Sequence, residues 1–339
     1  MINNPKISII MPVYNAEKYM NKSINSIIRQ TLEDIELICI NDCSTDKSLK
    51  KLQEYRKEDK RIKIINNKVN SGPGRSRNKG IKKALGKYIC FLDSDDWLEK
   101  NACEILYTKA EKENADIVFI KPKFVFTDKI ILDKRLLNEK DYFNKEKVLR
   151  STLQRKIAWA PWSKLIKRKL LTENKIYFPD IYVAEDMDFS CKVIYYAKRI
   201  TLEKEYLYNY YLHEGSLTSY ANAERRINNY FESIDLLENF LKEKNLSEKY
   251  ENDFIYFKLY NYLAIYGVLN NTKDKLNKDK YKNKIKLDKH FKILEILKLK
   301  RINQVTIGIL LIKIGLFKIS FKFIEFLRRL LGKWGKRNE

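Results

Sequence analysis

Short apolar runs alternate with amphipathic stretches through the first half of the chain. Residues 7–11, 35–40, 62–65, 88–92 and 117–120 are brief, rich in Ile, Val and Phe, and carry few polar positions. Runs of that length and composition predict strands buried on both faces. Between them Met20, Ile24, Ile27 and Ile28, then Leu49, Leu52 and Tyr55, recur at three-to-four spacing, which predicts helices with one apolar face. Strand, helix, strand in repetition predicts an α/β fold: a mostly parallel sheet flanked by helices.

The texture changes in the second half. From about residue 205 Tyr, Phe and Leu recur at helical spacing, as in Phe254, Phe257, Leu259, Tyr262, Leu263 and Tyr266, and predict a C-terminal helical region. Residues 270–289 are a Lys/Asn/Asp run whose apolar positions are not periodic until its end, and they read as a solvated loop or linker.

The 339 residues carry 68 Lys and Arg against 44 Asp and Glu, a net charge of +24, so an anionic partner is expected. The excess is uneven: fourteen of those charges fall in residues 270–339. Between Gln304 and Leu331, the residues Lys318, Lys322, Glu325 and Arg329 share a helix face, while Leu316, Ile319, Phe323, Phe326, Leu327 and Leu330 lie mainly opposite. A basic amphipathic helix of this kind suits an anionic membrane surface, and equally it suits packing on the protein with a solvated basic face. Lys313, Lys318 and Lys322 interrupt it too often for a bilayer-spanning helix. Nucleic acid is not the expected partner, since zinc-finger spacing and aromatic RNP-like strands are both missing.

Five cysteines form an odd, scattered set, which disfavours a disulfide framework and a zinc site, and two histidines are too few for a multi-histidine metal cage. The chain runs from Met1 straight into a strand without a charged-then-apolar leader, which predicts a cytoplasmic protein.

Ligands of open α/β sheets sit beyond the carboxyl ends of the strands, so the polar residues that follow each apolar run carry the candidate chemistry. After the first run, Pro12-Val13-Tyr14-Asn15 combines a rigid turn with a ring that can stack on a base, or is an ordinary strand-to-helix turn capped by Asn15. After the second, Asn41-Asp42-Cys43-Ser44-Thr45-Asp46 offers Asp42 as acceptor for the imide N–H of uracil, with Ser44, Thr45 or Asp46 left to cap a helix. Asn70-Ser71-Gly72-Pro73-Gly74-Arg75-Ser76-Arg77 is a glycine turn opening a basic helix, whose N-terminus and Arg77 can face a nucleotide's oxygens.

The fourth run ends in Asp93-Ser94-Asp95-Asp96-Trp97. Carboxylates crowded at a buried strand end repel one another, and a hard divalent cation relieves that repulsion; an acidic N-cap is the other reading. Mg²⁺ or Mn²⁺ held by one or two carboxylates and completed by diphosphate oxygens is therefore the expected cofactor. Further on, Glu185-Asp186 precedes an apolar helical stretch, and a carboxylate at a pocket edge can serve as general base toward a hydroxyl. Trp159 and Trp162 offer flat surfaces for a sugar ring, or pack in the core.

Taken in order, Pro-Val-Tyr-Asn, Asn-Asp-Cys-Ser-Thr-Asp, Asn-x-Gly with Arg-Asn-x-Gly, Asp-Ser-Asp-Asp, Trp-x-Lys-Leu and Glu-Asp resemble the family 2 glycosyltransferases of bacterial capsule and lipopolysaccharide assembly, over about residues 5–215. The resemblance implies a GT-A type nucleotide-sugar-binding catalytic domain over 1–215, followed by a helical region over 216–300 and the basic tail over 301–339. It implies a metal-dependent, inverting hexosyl transfer from a nucleotide-sugar, with UDP-sugars foremost, to a glycan or lipid-linked acceptor at the inner face of the membrane. On the same resemblance Pro12, Tyr14, Asp42 and Arg77 hold the nucleoside, Asp93 the ribose or the metal, and Asp95 the metal that bridges the diphosphate, with Asp96 an alternative to Asp95. Asp186 becomes the base, and Trp162, Glu185 and His213 become acceptor or diphosphate contacts. Ala184 stands where many relatives have glycine.

Two other classes compete. A nucleotidyltransferase would need a glycine-rich, lysine-ended loop after the first strand, where Pro12-Val13-Tyr14-Asn15 stands instead. A non-enzymatic nucleic-acid or anion-binding protein is supported by net charge alone.

Overall fold

The computed structural model describes residues 4–133, 138–213, 222–272 and 276–288. The chain divides into two compact units, Met1–Ser219 and Tyr220–Glu339.

The first unit is organised on one sheet. Its front half is β1 (Ile7–Val13), β2 (Ile35–Asn41), β3 (Ile62–Asn66) and β4 (Tyr88–Phe91), joined by the helices α1 (Met20–Ile28), α2 (Ser48–Glu58) and α3 (Pro73–Lys83). These strands pair in parallel in the order β3-β2-β1-β4. They are the first four runs that the apolar pattern predicts. All seven residues of β2 are buried, Glu36 included, and that carboxylate is held by Ser8 Oγ at 2.5 Å, Lys63 Nζ at 2.6 Å and the Leu85 N–H at 2.7 Å. Each fully buried Ile or Leu of such strands contributes roughly 1.5–3 kcal/mol.

The rear half is mixed. It comprises β5 (Trp97–Leu98), α4 (Ala102–Lys112), β6 (Ile117–Val125), β7 (Ile130–Leu132), α5 (Glu139–Tyr142), α6 (Lys145–Leu153), β8 (Lys164–Lys167), α7 (Arg168–Glu173), α8 (Glu185–Tyr196) and β9 (Ile200–Tyr211). β8 enters antiparallel between β4 and β6, β9 runs parallel to β6, and β5 and β7 add antiparallel to β9 and β6. The parallel arrangement expected from the repeating pattern thus holds from β3 to β4 and gives way where β8 inserts.

The second unit contains α9 (Ala223–Glu243), α10 (Glu251–Asn271) and α11 (Lys278–Leu287). Two expectations are corrected. Residues 200–211 are a strand, and among the described residues that follow the first helix is α9, from Ala223; alternating Tyr and Leu on a half-buried strand had the same composition as a helix. Half of the segment expected as a loop, Lys278–Leu287, forms α11, because Tyr281 and Ile285, four apart, bury one face. Among the described residues no helix is long and apolar enough to cross a membrane. The basic amphipathic tail of 301–339 lies outside the described residues.

Candidate active site

All four parallel strands end on one sheet edge, and the chain switches sides of β1 between β2 and β4, so the crevice opens between the loops after β1 and β4. The loop after β1 is laced to the loop after β2. Asn15, at φ 49, accepts from the Thr45 N–H at 2.8 Å through Oδ1 and donates its own N–H to Ser44 Oγ at 3.1 Å. Pro12 remains in β1 opposite Ile40, and Tyr14 stands half-buried just past the strand.

Asp42 is buried, and its carboxylate accepts from Asn67 Nδ2 at 2.6 Å, the Ser71 N–H at 3.0 Å, Ser71 Oγ at 2.9 Å and the Gly72 N–H at 2.7 Å. The structure therefore gives Asp42 the task of folding the glycine turn around itself. Gly72 has φ 86, and a Cβ there would stand 2.8 Å from the Tyr182 ring, so the turn requires glycine.

The Arg-Asn-x-Gly segment of α3 is read residue by residue in the packing. Arg77 is buried and bridges two carboxylates, donating from Nη2 to Asp93 at 2.8 Å and from Nη1 to Glu185 at 2.9 Å. Asn78 pairs its amide with both the N–H and the carbonyl of Phe178, each at 2.8 Å. Gly80 lies against β1, where a Cβ would meet Ile10 at 2.4 Å. Arg77 thus faces carboxylates of its own chain where nucleotide oxygens were expected, and it ties the end of β4 to the start of α8.

The acids after β4 separate into different environments. Asp93 is part-exposed and takes the Arg77 guanidinium. Asp95 is part-exposed and meets His213 Nε2 at 2.9 Å, and His213 stacks on Tyr19 with ring centroids 4.0 Å apart. Burial and the neighbouring Asp93 charge push the Asp95 carboxyl above the usual carboxylate range. Asp96 turns inward: it is fully buried, accepting from Tyr208 Oη at 2.6 Å and the Tyr211 N–H at 2.7 Å. This removes Asp96 as an alternative metal ligand, since both of its oxygens anchor β9.

Trp162 needs a similar correction. Its ring is buried and stacked on Tyr208 at 4.6 Å and Tyr210 at 5.3 Å, so its flat surface is spent in the core and not offered to a sugar. Asp186 lies in the first turn of α8, part-exposed, next to buried Glu185. Burial raises the pKa of both; Arg77, Arg155 and Lys164 pull Asp186 back down.

Three participants were not singled out from sequence. Tyr208 of β9 contacts the acid cluster directly and Tyr19, just before α1, reaches it through His213; aromatic residues at ordinary core spacing gave no signal for that. Lys164, inside the Trp-x-Lys-Leu motif, is fully buried, and a lysine set between Trp162-Ser163 and Leu165-Ile166 was the available clue.

The donor set suits a hard divalent ion. Asp93 and Asp95 offer carboxylate oxygens whose mutual repulsion a cation would relieve, with His213 beside Asp95. Among the described residues no group of three or more His, Cys, Asp and Glu is placed to hold a metal ion by itself. Such an ion would be completed by substrate oxygens, as Mg²⁺ and Mn²⁺ sites at diphosphates usually are.

Comparison with known proteins decides the family. The family model described as "Glycosyl transferase family 2" matches residues 8–174. The chain is 30% identical over 302 residues to the cholesterol galactosyltransferase of Borreliella burgdorferi, covering 84% of this chain and 82% of that protein. The chain belongs to glycosyltransferase family 2. This family 2 glycosyltransferase is also 32% identical over 260 residues to EpsH of Bacillus subtilis, which is named as a glycosyltransferase, with 74% of each chain covered. It is 32% identical over 211 residues to the poly(ribitol-phosphate) beta-N-acetylglucosaminyltransferase TarS of Staphylococcus aureus strain Mu50, covering 60% of this chain and 35% of TarS. The crystal structure of TarS 1–349 with UDP-GlcNAc superposes with a TM-score of 0.63 at 23% identity, over 96% of this chain and 92% of that one, and it shares the GT-A fold.

Proposed function

We propose that the chain is an inverting glycosyltransferase that moves a sugar from a UDP-sugar to a hydroxyl of a glycan or lipid-linked acceptor in surface polysaccharide biosynthesis. The observation that carries this reading is the Asp93–Arg77–Glu185 bridge, which fixes the first turn of α8, with Asp186, against the donor edge of the sheet. TarS, similar in sequence and fold, binds UDP-GlcNAc.

The nucleoside would lie in the crevice against Tyr14, with the Asp42-ordered turn beside it and Asp93 near the ribose. Asp95 with Asp93 would hold Mg²⁺ or Mn²⁺, which when bound supplies positive charge against the diphosphate leaving group. His213, held on Tyr19, orients the Asp95 carboxylate. Asp186 accepts the proton of the acceptor hydroxyl as it attacks the anomeric carbon on the face opposite the leaving nucleotide. The new C–O bond forms as the bond to the diphosphate breaks, and the configuration inverts. The basic tail is proposed to hold the enzyme on the anionic cytoplasmic face of the membrane.

Asp186→Asn tests the assignment. Turnover of UDP-glucose, UDP-galactose and UDP-N-acetylglucosamine should fall by at least a thousandfold, while UDP still raises the melting temperature as in wild type. Turnover within tenfold of wild type would remove Asp186 from the reaction.

A further inference from the structure

Lys164, the first residue of β8, is fully buried. Its Nζ donates to the Ala160 carbonyl at 2.9 Å, to Ser163 Oγ at 3.1 Å and to Ser190 Oγ at 3.3 Å, with the Ala158 and Trp159 carbonyls each at 3.4 Å. Five oxygens surround three N–H groups. A neutral amine would turn its lone pair toward a carbonyl oxygen, so the cradle is built for an ammonium. None of these acceptors carries a charge. A buried cation without a contacting anion costs several kcal/mol, and retaining one calls for a reason.

The reason lies one helical turn away. Ser190 is on α8, and Asp186 stands four residues earlier on the same face. Burial draws the Lys164 pKa down to about 7, and Asp186 is the first charge opposing that fall, with Cys191 after it. In return Lys164 counters the burial that raises Asp186, alongside Arg77 from α3 and Arg155 beyond α6. Ser190 also donates to the Trp159 carbonyl, closing the link between α8 and the segment before β8.

We propose that Lys164 is a positioning residue for Asp186: it fastens α8 to residues 158–163 through Ser190, and its charge keeps the Asp186 carboxylate ionised. This rests on the reading of Asp186 as the base. Lys164 touches neither donor nor acceptor; it acts through Asp186.

The test compares Lys164→Gln, which keeps N–H donors on a neutral side chain, with Lys164→Arg, which keeps the charge. The assay is turnover of the best substrate among UDP-glucose, UDP-galactose and UDP-N-acetylglucosamine. Lys164→Gln should lower kcat at least tenfold at neutral pH with the KM for that UDP-sugar within twofold. The acid limb of its kcat profile should move to higher pH, because the Asp186 proton is no longer repelled. Lys164→Arg should return the limb toward wild type. A merely structural lysine would lower the melting temperature and leave the limb in place. An unmoved limb in Lys164→Gln, whatever the loss of rate, overturns the proposal. Should that variant not fold, Ser190→Ala is read instead: a lower kcat at unchanged KM supports the tie, and an unchanged kcat overturns it. Asp186→Asn runs in parallel. If it stays active, the reading of the base has failed; if it is dead while the limb of Lys164→Gln is unmoved, only the role of Lys164 has failed.

Discussion

Arg77 shows how one side chain can tie together two elements of a candidate site. It is buried, and its two terminal nitrogens are committed to Asp93 and Glu185, which sit on elements far apart in sequence. Removing one partner of a buried ionic group leaves the others uncompensated, at about 3–5 kcal/mol. Arg77→Met should therefore lose about 3 kcal/mol of stability, read as a lower urea midpoint; Asp93 is partly hydrated, which places the figure at the low end. A loss below about 1 kcal/mol would mean that the bridge is not a structural clip. The pH dependence belongs to the same scale. Burial raises Asp186 above its ordinary range, and a carboxylate acting as the proposed base must be ionised to accept a proton, so kcat should rise with pH through the Asp186 pKa. The acid limb should lie above the ordinary Asp value of about 3.9 and disappear in Asp186→Asn.

At the scale of elements, α8 begins under strain. Ala184 precedes its first turn at φ 68, ψ 17, a left-handed conformation in which a Cβ is unfavourable by roughly 1–2 kcal/mol. Ala184→Gly should raise stability by about 1 kcal/mol, the part of that strain not returned as chain entropy. A lower urea midpoint for that variant would show that the Ala184 methyl, buried here, contributes more by packing than its backbone costs. The same helix illustrates what a sequence displays. β1 to β4 and the start of β6 were visible because buried parallel strands are continuous apolar runs, and polar residues at their ends stand out. β8 and β9 were not. β8 is four residues long with lysine at both ends, and β9 carries Glu203, Lys204 and Glu205 in its middle. Candidate residues were legible as chemical types: Asp95 follows β4, as the apolar run indicated, and Arg77 and Asp186 lie in α3 and in the first turn of α8. Their partners were not, because Asp96 turning to Tyr208, Trp162 stacking on Tyr210 and Arg77 clasping Glu185 depend on contacts between segments up to 112 residues apart.

On the scale of the whole molecule the charge asymmetry has a measurable consequence. Fourteen of the 24 net positive charges belong to residues 270–339, away from the part of the sequence that supplies the catalytic candidates. If the proposed tail lies on the membrane, Lys318, Lys322 and Arg329 face anionic headgroups, and each contributes about 1 kcal/mol near the surface. Neutralising all three to Gln in the full chain should then weaken binding to phosphatidylglycerol-containing vesicles by about a hundredfold, since each 1.4 kcal/mol is a factor of ten. Sedimentation with vesicles measures this directly. Wild-type binding should fall steeply as salt is raised, and vesicles of phosphatidylcholine alone should bind little, because the attraction is screened within a Debye length. UDP-sugar turnover in the absence of vesicles should be the same in both proteins, which separates membrane attachment from chemistry. Equal sedimentation of wild type and triple variant would place the basic face in solvent and leave the apolar face to pack on protein, and attachment would then have to come from the acceptor itself.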